Sequence, residues 1–150
     1  MKTTTASEYA KYIISLFQKQ QQEISNLKLQ KLLYYAQGWH LALYGAPIFG
    51  DRFEAWVHGP VVPAVFREYR DHAWRPIDKQ VSIKAPEALQ FHLAEVVRIY
   101  GHFDASTLER MTHQEVPWKE ARQGLEPDEP SNRVITDESM RRYFEKRADG

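Results

Sequence analysis

The stretch 25–44 has the strongest hydrophobic periodicity in the chain, and it predicts a helix that is apolar on most sides. Its two apolar stripes are Leu29, Leu32, Leu33, Ala36, Trp39 and Leu43, and Leu27, Tyr34, Tyr35, Leu41 and Tyr44. Ser25 or Asn26 is a suitable N-cap, and Gly45 suits the left-handed position that ends many helices. Because a helix with apolar residues on most sides is usually central, we expect the other elements to pack around it.

Weaker helical periodicity lies on both sides of this segment. Helices are predicted for 6–21, 63–73 and 86–100, for about two turns after residue 106, for 117–122, and from residue 136 onwards. Ser7 is the predicted cap of the first, and Ser106 with Glu109 forms a predicted capping box. Thr136 is the predicted cap of the last helix, whose final residues, 146–150, should fray.

A short strand is predicted at residues 53–57, and a turn follows it. Apolar and polar residues alternate along 53–57, which is strand spacing, and His58-Gly59-Pro60 follows as a turn signal. Shorter strand fragments are predicted at 81–83 and 134–135. The predicted fold class is therefore mainly α: a single compact helical domain, residues 1–150, built round a central apolar helix, with a minor short β element.

Composition narrows the function classes. The chain has 150 residues, 20 basic and 20 acidic, and its formal net charge of zero argues against non-specific binding to nucleic acids or anionic membranes. With no cysteine, disulfides and thiolate catalysis are excluded, and a reducing cytoplasm is suitable. No apolar run approaches the roughly 20 residues that cross a bilayer. We expect a cytoplasmic protein with no direct nucleic-acid or membrane partner.

Residue types that carry chemistry are present, but their spacing favours no enzyme. The six histidines contain no pair at the i, i+4 spacing of a helical metal site, and glycine-rich phosphate loops are absent. Asp104, Ser106 and His113 are hydrolase residue types, yet the capping box already explains Ser106. A helix-turn-helix over 6–44 fails because its second helix is too apolar to enter a DNA groove. We predict no catalysis, no metal and no cofactor.

Two segments each place a histidine beside a proline and a tryptophan. The first runs through Trp56 and His58 to Pro60, and the second, 112–118, includes His113 and ends at Trp118. Packed junctions between elements would account for both segments. Exposed tryptophans would instead mark a binding surface, because aromatic anchors carry much of the energy of protein interfaces. The residues alone leave these two interpretations open.

Three blocks of the chain resemble the Panacea-domain antitoxin family, which includes SocA-like and phage-associated GepA-like proteins. The blocks are 29–38 (LQKLLYYAQG), 53–61 (FEAWVHGPV), and Leu108 with Thr112-His113 and Pro117-Trp118. Their order and spacing agree with the family, and the resemblance covers roughly residues 6–145.

The resemblance implies a binding module. Family members are antitoxins that neutralise protein toxins by direct contact, and the toxin is usually encoded nearby. One relative instead acts as an adaptor that delivers its toxin to a protease. The expected partner-binding residues, at the surface or in the shell beneath it, are Trp56, His58, Gly59, Pro60, Val61, Thr112, His113 and Trp118. Occlusion and proteolytic delivery both stay open, as does homo-oligomerisation.

The rival interpretation is a small phage-associated hydrolase that depends on metal or histidine. It requires His58 and His113 to converge with a carboxylate, such as Glu115 or Glu54, in an open pocket.

Overall fold

The structure, a computed structural model, describes residues 5–81 and 83–149. The described residues form seven α-helices, which are α1 (Ala6–Lys19), α2 (Asn26–Tyr44), α3 (Pro63–Glu68), α4 (Glu87–Tyr100), α5 (Ala105–His113), α6 (Val116–Ala121) and α7 (Asp137–Asp149). They also form three strands, which are β1 (Phe53–Trp56), β2 (Gly59–Val61) and β3 (Val134–Ile135). The predicted class, mainly helical with a minor β element, is confirmed.

Helix α2 is the centre of the fold. Its residues 29–38 are all buried, and α1, α4, α5 and α7 pack around it. The side chain of Ser25 accepts a hydrogen bond from the Lys28 amide at 3.2 Å, and Gly45 ends the helix at φ 73°. The predicted bounds, cap and central position are confirmed.

Two glutamines of α2 bind the backbone that leads into and out of the sheet. The side-chain oxygen of Gln37 accepts from the Ile48 amide at 2.8 Å, and its nitrogen donates to the Phe49 carbonyl at 2.9 Å. On the other side of the hairpin, Gln30 accepts from the Val62 amide at 2.9 Å. Because buried backbone groups need partners, these polar side chains position the hairpin against the helix.

The sheet has the order β2-β1-β3, with both pairs antiparallel. Trp56 pairs with Gly59, so β1 and β2 form a tight hairpin whose turn contains His58. The strand fragments predicted at 53–57 and 134–135 are therefore present. The fragment predicted at 81–83 is wrong for Val81 and Ile83, and its middle residue lies outside the described residues. The Val81 amide donates to the side chain of Gln18 at 3.4 Å, so it has a side-chain partner where a strand would have backbone.

Two predicted N-caps are wrong, although the predicted start of the first helix at residue 6 is confirmed. Ser7 lies inside α1, where its hydroxyl donates to Glu68 at 2.7 Å, and the amide of Ala6 is capped by Asp51 at 2.8 Å. Ser106 also lies inside its helix, because Asp104 accepts from the third amide of α5 at 2.8 Å. An aspartate is as good a cap as a serine, so α5 begins earlier than predicted.

The predicted helix 63–73 is divided. Helix α3 ends at Glu68, and a short 3₁₀ turn, Arg70–His72, follows before Ala73 reverses the chain at φ 54°. Helix α1 likewise ends at Lys19 rather than at residue 21.

Helix α7 closes the fold against α2. The hydroxyl of Thr136 caps it, accepting from the Ser139 amide at 3.1 Å as predicted. A Cβ on Gly38 would lie 2.2 Å from the ring of Phe144, so glycine allows α7 its close approach. The helix continues through Asp149, and in its last turn Arg147 donates to the hydroxyl of Tyr143 at 3.1 Å. The fraying predicted for 146–150 is therefore not seen as far as Asp149, and residue 150 lies outside the described residues.

Among the described residues, none of the helices has both the length and the apolar character that a bilayer crossing requires.

Candidate functional site: the joined corner

The two histidine–proline–tryptophan segments, separate in sequence, meet in the fold. The indole nitrogen of Trp118, on α6, donates to the carbonyl of Trp56, on β1, at 2.8 Å. The ring of His113 stacks on Trp118 with centroids 4.1 Å apart and an interplanar angle of 21°. A hydrogen bond also links His113 to the backbone of Val57. We call Trp56, Val57, His58, Glu109 and His113 the joined corner.

The close packing of the β1–β2 hairpin against α2 and α5 depends on Gly59. Its φ of 108° is a conformation that L side chains rarely adopt, and a Cβ there would lie 2.8 Å from both Lys31 Cε and Thr112 Oγ1. Thr112 is itself fixed, because its hydroxyl donates to the Glu109 carbonyl at 2.8 Å. The hairpin is thus pressed between α2 and α5.

The expected binding residues divide by exposure. Five are buried, and these are Gly59, Pro60, Val61, Thr112 and Trp118. Trp118 keeps only 7% of its surface exposed, so it supports the corner from beneath. The remaining three reach the surface: Trp56 and His113 are half-buried, and the His58 side chain is 62% exposed.

A carboxylate that was predicted only as part of a capping box, Glu109, instead lies at the middle of the corner. Glu109 Oε1 is 2.9 Å from His58 Nδ1 and interacts electrostatically with His113 and with Lys31. Burial lowers the pKa of His113, partly opposed by Glu109. Among the described residues, the Nε2 atom of His113 has no hydrogen-bond partner.

Lys31 lies beneath the corner and was also missed as a site residue. Its side chain is fully buried, and its ammonium nitrogen donates to the Pro60 carbonyl at 3.2 Å. Burial lowers the pKa of Lys31 to about 7, with the nearby Glu109 acting in the opposite direction. The sequence did contain a signal for this residue: a lysine lies between the two apolar stripes of a helix that is apolar on most sides.

Arg122 connects the corner to the loop 126–129. It donates to the Ala55 carbonyl on β1 and to the Glu126 carbonyl, each at 2.9 Å, and its guanidinium lies 4.9 Å from the centre of the Trp118 ring. Sequence reasoning missed it because the carbonyls it binds are not visible in a residue pattern.

An open cleft borders the corner. It has a volume of ≈ 690 Å³ and is lined by Glu54, Trp56, Val57, His58 and the loop 130–132. The indole nitrogen of Trp56 donates to Glu54 at 3.0 Å, and its ring meets Phe66 edge to face at 5.0 Å. The half-buried tryptophan is therefore held in one orientation at the cleft wall.

The two carboxylates suggested for the hydrolase interpretation lie elsewhere, and a third carboxylate lies near the histidines. Glu109 is hydrogen-bonded to His58 and interacts electrostatically with His113. Glu54 accepts from the indole nitrogen of Trp56, and Glu115 accepts hydrogen bonds from two tyrosines of α2. Within residues 5–81 and 83–149, no group of three or more metal-binding side chains is placed to hold an ion. The corner combines an aromatic side chain held in one orientation, an exposed imidazole and an adjoining cleft.

Comparison with known proteins identifies the family of the chain. Residues 29–119 match the family described as antitoxin SocA-like, Panacea domain, and the chain therefore belongs to this family. The match lies inside the predicted range of 6–145 and contains every residue of the joined corner. Family membership supports an antitoxin role.

One curated relative is the antitoxin SocA of Caulobacter vibrioides (strain NA1000 / CB15N), which is 57% identical over 44 residues. That alignment covers 29% of this chain and 23% of the relative, so the chain spans under a quarter of the relative's length there. No solved structure matches the chain.

Proposed function

We propose that this protein is a cytoplasmic antitoxin that neutralises a cognate protein toxin by direct binding at the joined corner. The toxin is expected from a neighbouring gene. Trp56, His58 and His113 would contact it, and Gly59, Pro60, Val61, Thr112 and Trp118 would act from beneath by holding the corner in shape. The proposal assigns no catalytic step to the chain.

The observation that carries the proposal is the bond between Trp118 and the backbone of Trp56. It joins two aromatic segments 62 residues apart in sequence and leaves Trp56 half-exposed beside the cleft. An anchor already fixed by Glu54 and Phe66 loses little conformational freedom when a partner binds. Rigid aromatic anchors of this kind are enriched among the residues that dominate binding energy.

His58 and Glu109 add a polar element beside this anchor. They are 2.9 Å apart, and the His58 side chain is mostly exposed. A partner side chain can therefore bind either group at the edge of the contact, where charged groups mainly influence the rate and specificity of association.

The test is to co-express the neighbouring gene with this protein and to measure growth, then binding of the purified pair by calorimetry. Trp56→Ala should weaken toxin binding by about 2 kcal/mol, or roughly 30-fold, if the indole is an anchor. The matched control is Trp74→Ala, because Trp74 is 83% exposed and is absent from the cleft lining.

Equal affinity for the Trp56→Ala and Trp74→Ala variants would contradict the proposal, as would a neighbouring gene that is harmless alone. The lifetime of the toxin in the cell distinguishes occlusion from delivery to a protease. Occlusion predicts growth rescue with an unchanged toxin half-life, whereas a shortened half-life would identify an adaptor.

A further inference from the structure

The open cleft beside the joined corner has a second wall that comes from a distant part of the chain. One wall is formed by Glu54 and residues 56–58, and the other is formed by residues 130–132. Residues 29–119, which match the family, contain the first wall and end before the second. The family match therefore assigns no role to the loop 126–132.

Arg122 holds this loop against the sheet. Its buried side chain donates to the Ala55 carbonyl on β1 and to the Glu126 carbonyl, each at 2.9 Å, and it also donates to the Glu129 carbonyl. At the far end of the loop, the Ala55 amide donates to the Arg133 carbonyl at 2.8 Å. Because both ends of the loop are bonded to β1, the second wall has a defined position relative to the first.

The charges along the two walls are mostly negative. Among the described residues that line the cleft, Glu54 is the one carboxylate, and none is a lysine or an arginine. The loop that leads into the second wall adds three exposed carboxylates, on Glu126, Asp128 and Glu129. Because the chain has a formal net charge of zero, this excess is local.

Two arginines lie beside these segments, and both already have partners. Arg52 lies 3.5 Å from Glu54 and its side chain is 68% exposed, whereas Arg133 donates to the Gln123 carbonyl at 2.7 Å. An exposed ion pair such as Arg52–Glu54 contributes little free energy, so a partner's cation displaces Arg52 at small cost. Segments 52–58 and 126–133 together carry four carboxylates and two guanidiniums, so charge complementarity favours a basic partner.

We propose that the loop 126–132, positioned by Arg122, is a second contact surface for the toxin, and that the cleft receives a basic segment of that toxin. This inference rests on the proposed function and adds the chemistry of the partner to it. A lysine or arginine that enters the cleft meets Glu54 and the ring of Trp56, and aromatic rings attract cations. The exposed carboxylates of the loop accelerate the approach of such a segment.

The test is the association rate of the purified product of the neighbouring gene, measured by surface plasmon resonance at low and high salt. The loop variant Asp128→Asn/Glu129→Gln should slow association about tenfold at low salt and weaken its salt dependence. The matched control is Glu23→Gln/Glu87→Gln, because it removes two exposed charges from segments that form neither wall. Its association rate should equal that of the wild type, and equal rates for the two double variants would overturn the proposal.

Arg122→Met tests the positioning role. Hydrogen exchange of 126–132 in the free protein should become faster, and association should slow about tenfold, while circular dichroism checks that the variant is folded. Combined with the loop variant, it should slow association by less than the product of the two separate effects, because the released loop has already lost part of its contribution. Effects that multiply would mean that Arg122 does not act through the loop, and they would overturn the positioning role.

The Trp56→Ala variant separates this proposal from the proposed function. If Trp56→Ala weakens binding while the loop variant matches its control, the joined corner binds the toxin without the second wall, and the inference fails alone. If the loop variant associates slowly while Trp56→Ala matches Trp74→Ala, the anchor is wrong and the basic segment stands. A gene product that binds none of these proteins would overturn both.

Discussion

The two sides of helix α2 differ in how many partners surround a buried charged side chain. On one side, Glu115 accepts hydrogen bonds from the hydroxyls of Tyr34 at 2.9 Å and Tyr35 at 2.8 Å, and Arg147 lies 3.7 Å away. On the other side, Lys31 donates one hydrogen bond within residues 5–81 and 83–149, to the Pro60 carbonyl at 3.2 Å. Both side chains are almost entirely removed from solvent.

This difference separates a packing joint from the candidate site. A buried charge with several partners holds its elements firmly, whereas one with few partners stays costly to bury. The Glu115 joint ties α2 to α6 and α7. The half-satisfied Lys31 lies directly beneath the joined corner, which is where natural proteins tend to depart from ideal packing.

The largest expected effect comes from removing the glycine that lets the hairpin approach Lys31. Gly59→Ala should lower the free energy of unfolding by about 4 kcal/mol, because it combines backbone strain with contacts that are too close. Gly45→Ala is the control, since its φ is also positive but nothing lies within 4 Å of the added Cβ. It should lose only about 1 kcal/mol. Urea unfolding measures both, and equal losses would mean that Lys31 and Thr112 move aside easily.

Removing the well-partnered charge should have the next largest effect. Glu115→Ala leaves the buried hydroxyls of Tyr34 and Tyr35 without their acceptor, and it should lower the free energy of unfolding by about 3 kcal/mol. Lys31→Met removes the other charge and keeps a similar volume, so stability at pH 7 should change by less than about 1 kcal/mol. If Lys31→Met proves the more damaging, the contrast drawn between the two charges is wrong.

The smallest effect is a change in the pH dependence of stability, and its sign differs between the two sides. Burial lowers the pKa of Lys31 to about 7 from 10.5, so between these values the unfolded chain binds more protons than the folded one. Stability should therefore rise with pH across that window, and the contribution of Lys31 should level off below about pH 7, where both states hold the proton. Burial raises the pKa of Glu115 instead, so stability should fall as pH rises from 4.5 through its folded value.

Unfolding curves of the wild type and of Lys31→Met isolate the lysine's contribution. Lys28 also has a lowered pKa, and the buried Tyr34 and Tyr35 have raised ones, so the difference between the two proteins matters and not the wild-type curve alone. Lys31→Met should show a shallower rise between pH 7 and 10. Parallel curves would mean that the lysine keeps its ordinary pKa in the folded state.

Much of the fold was predictable because its signals are local. The apolar stripes of α2, its Ser25 cap and Gly45, and the alternation along β1 are all visible within a few residues. Where prediction was wrong, a competing partner was close: Asp104 took the capping role expected of Ser106. Other differences come from hydrogen bonds between residues far apart in the sequence. One example is the Val81 amide, which donates to the side chain of Gln18.

The residue types of the candidate site could be predicted from the sequence. Which of them are buried and which are exposed could not. A tryptophan beside a histidine and a proline is recognisable, but the sequence does not say that Trp118 supports Trp56 from beneath. Lys31, Glu109 and Arg122 were missed as site residues for the same reason, since each acts on a segment at least 29 residues away or on backbone carbonyls.

The most direct test of the joined corner is hydrogen–deuterium exchange of this protein with and without its cognate toxin. Binding should slow exchange in the hairpin 54–61 and around 109–114, while α4 keeps the exchange rate of the protein alone. Protection confined to 87–100, with the hairpin unchanged, would show that the toxin binds elsewhere and would contradict the account.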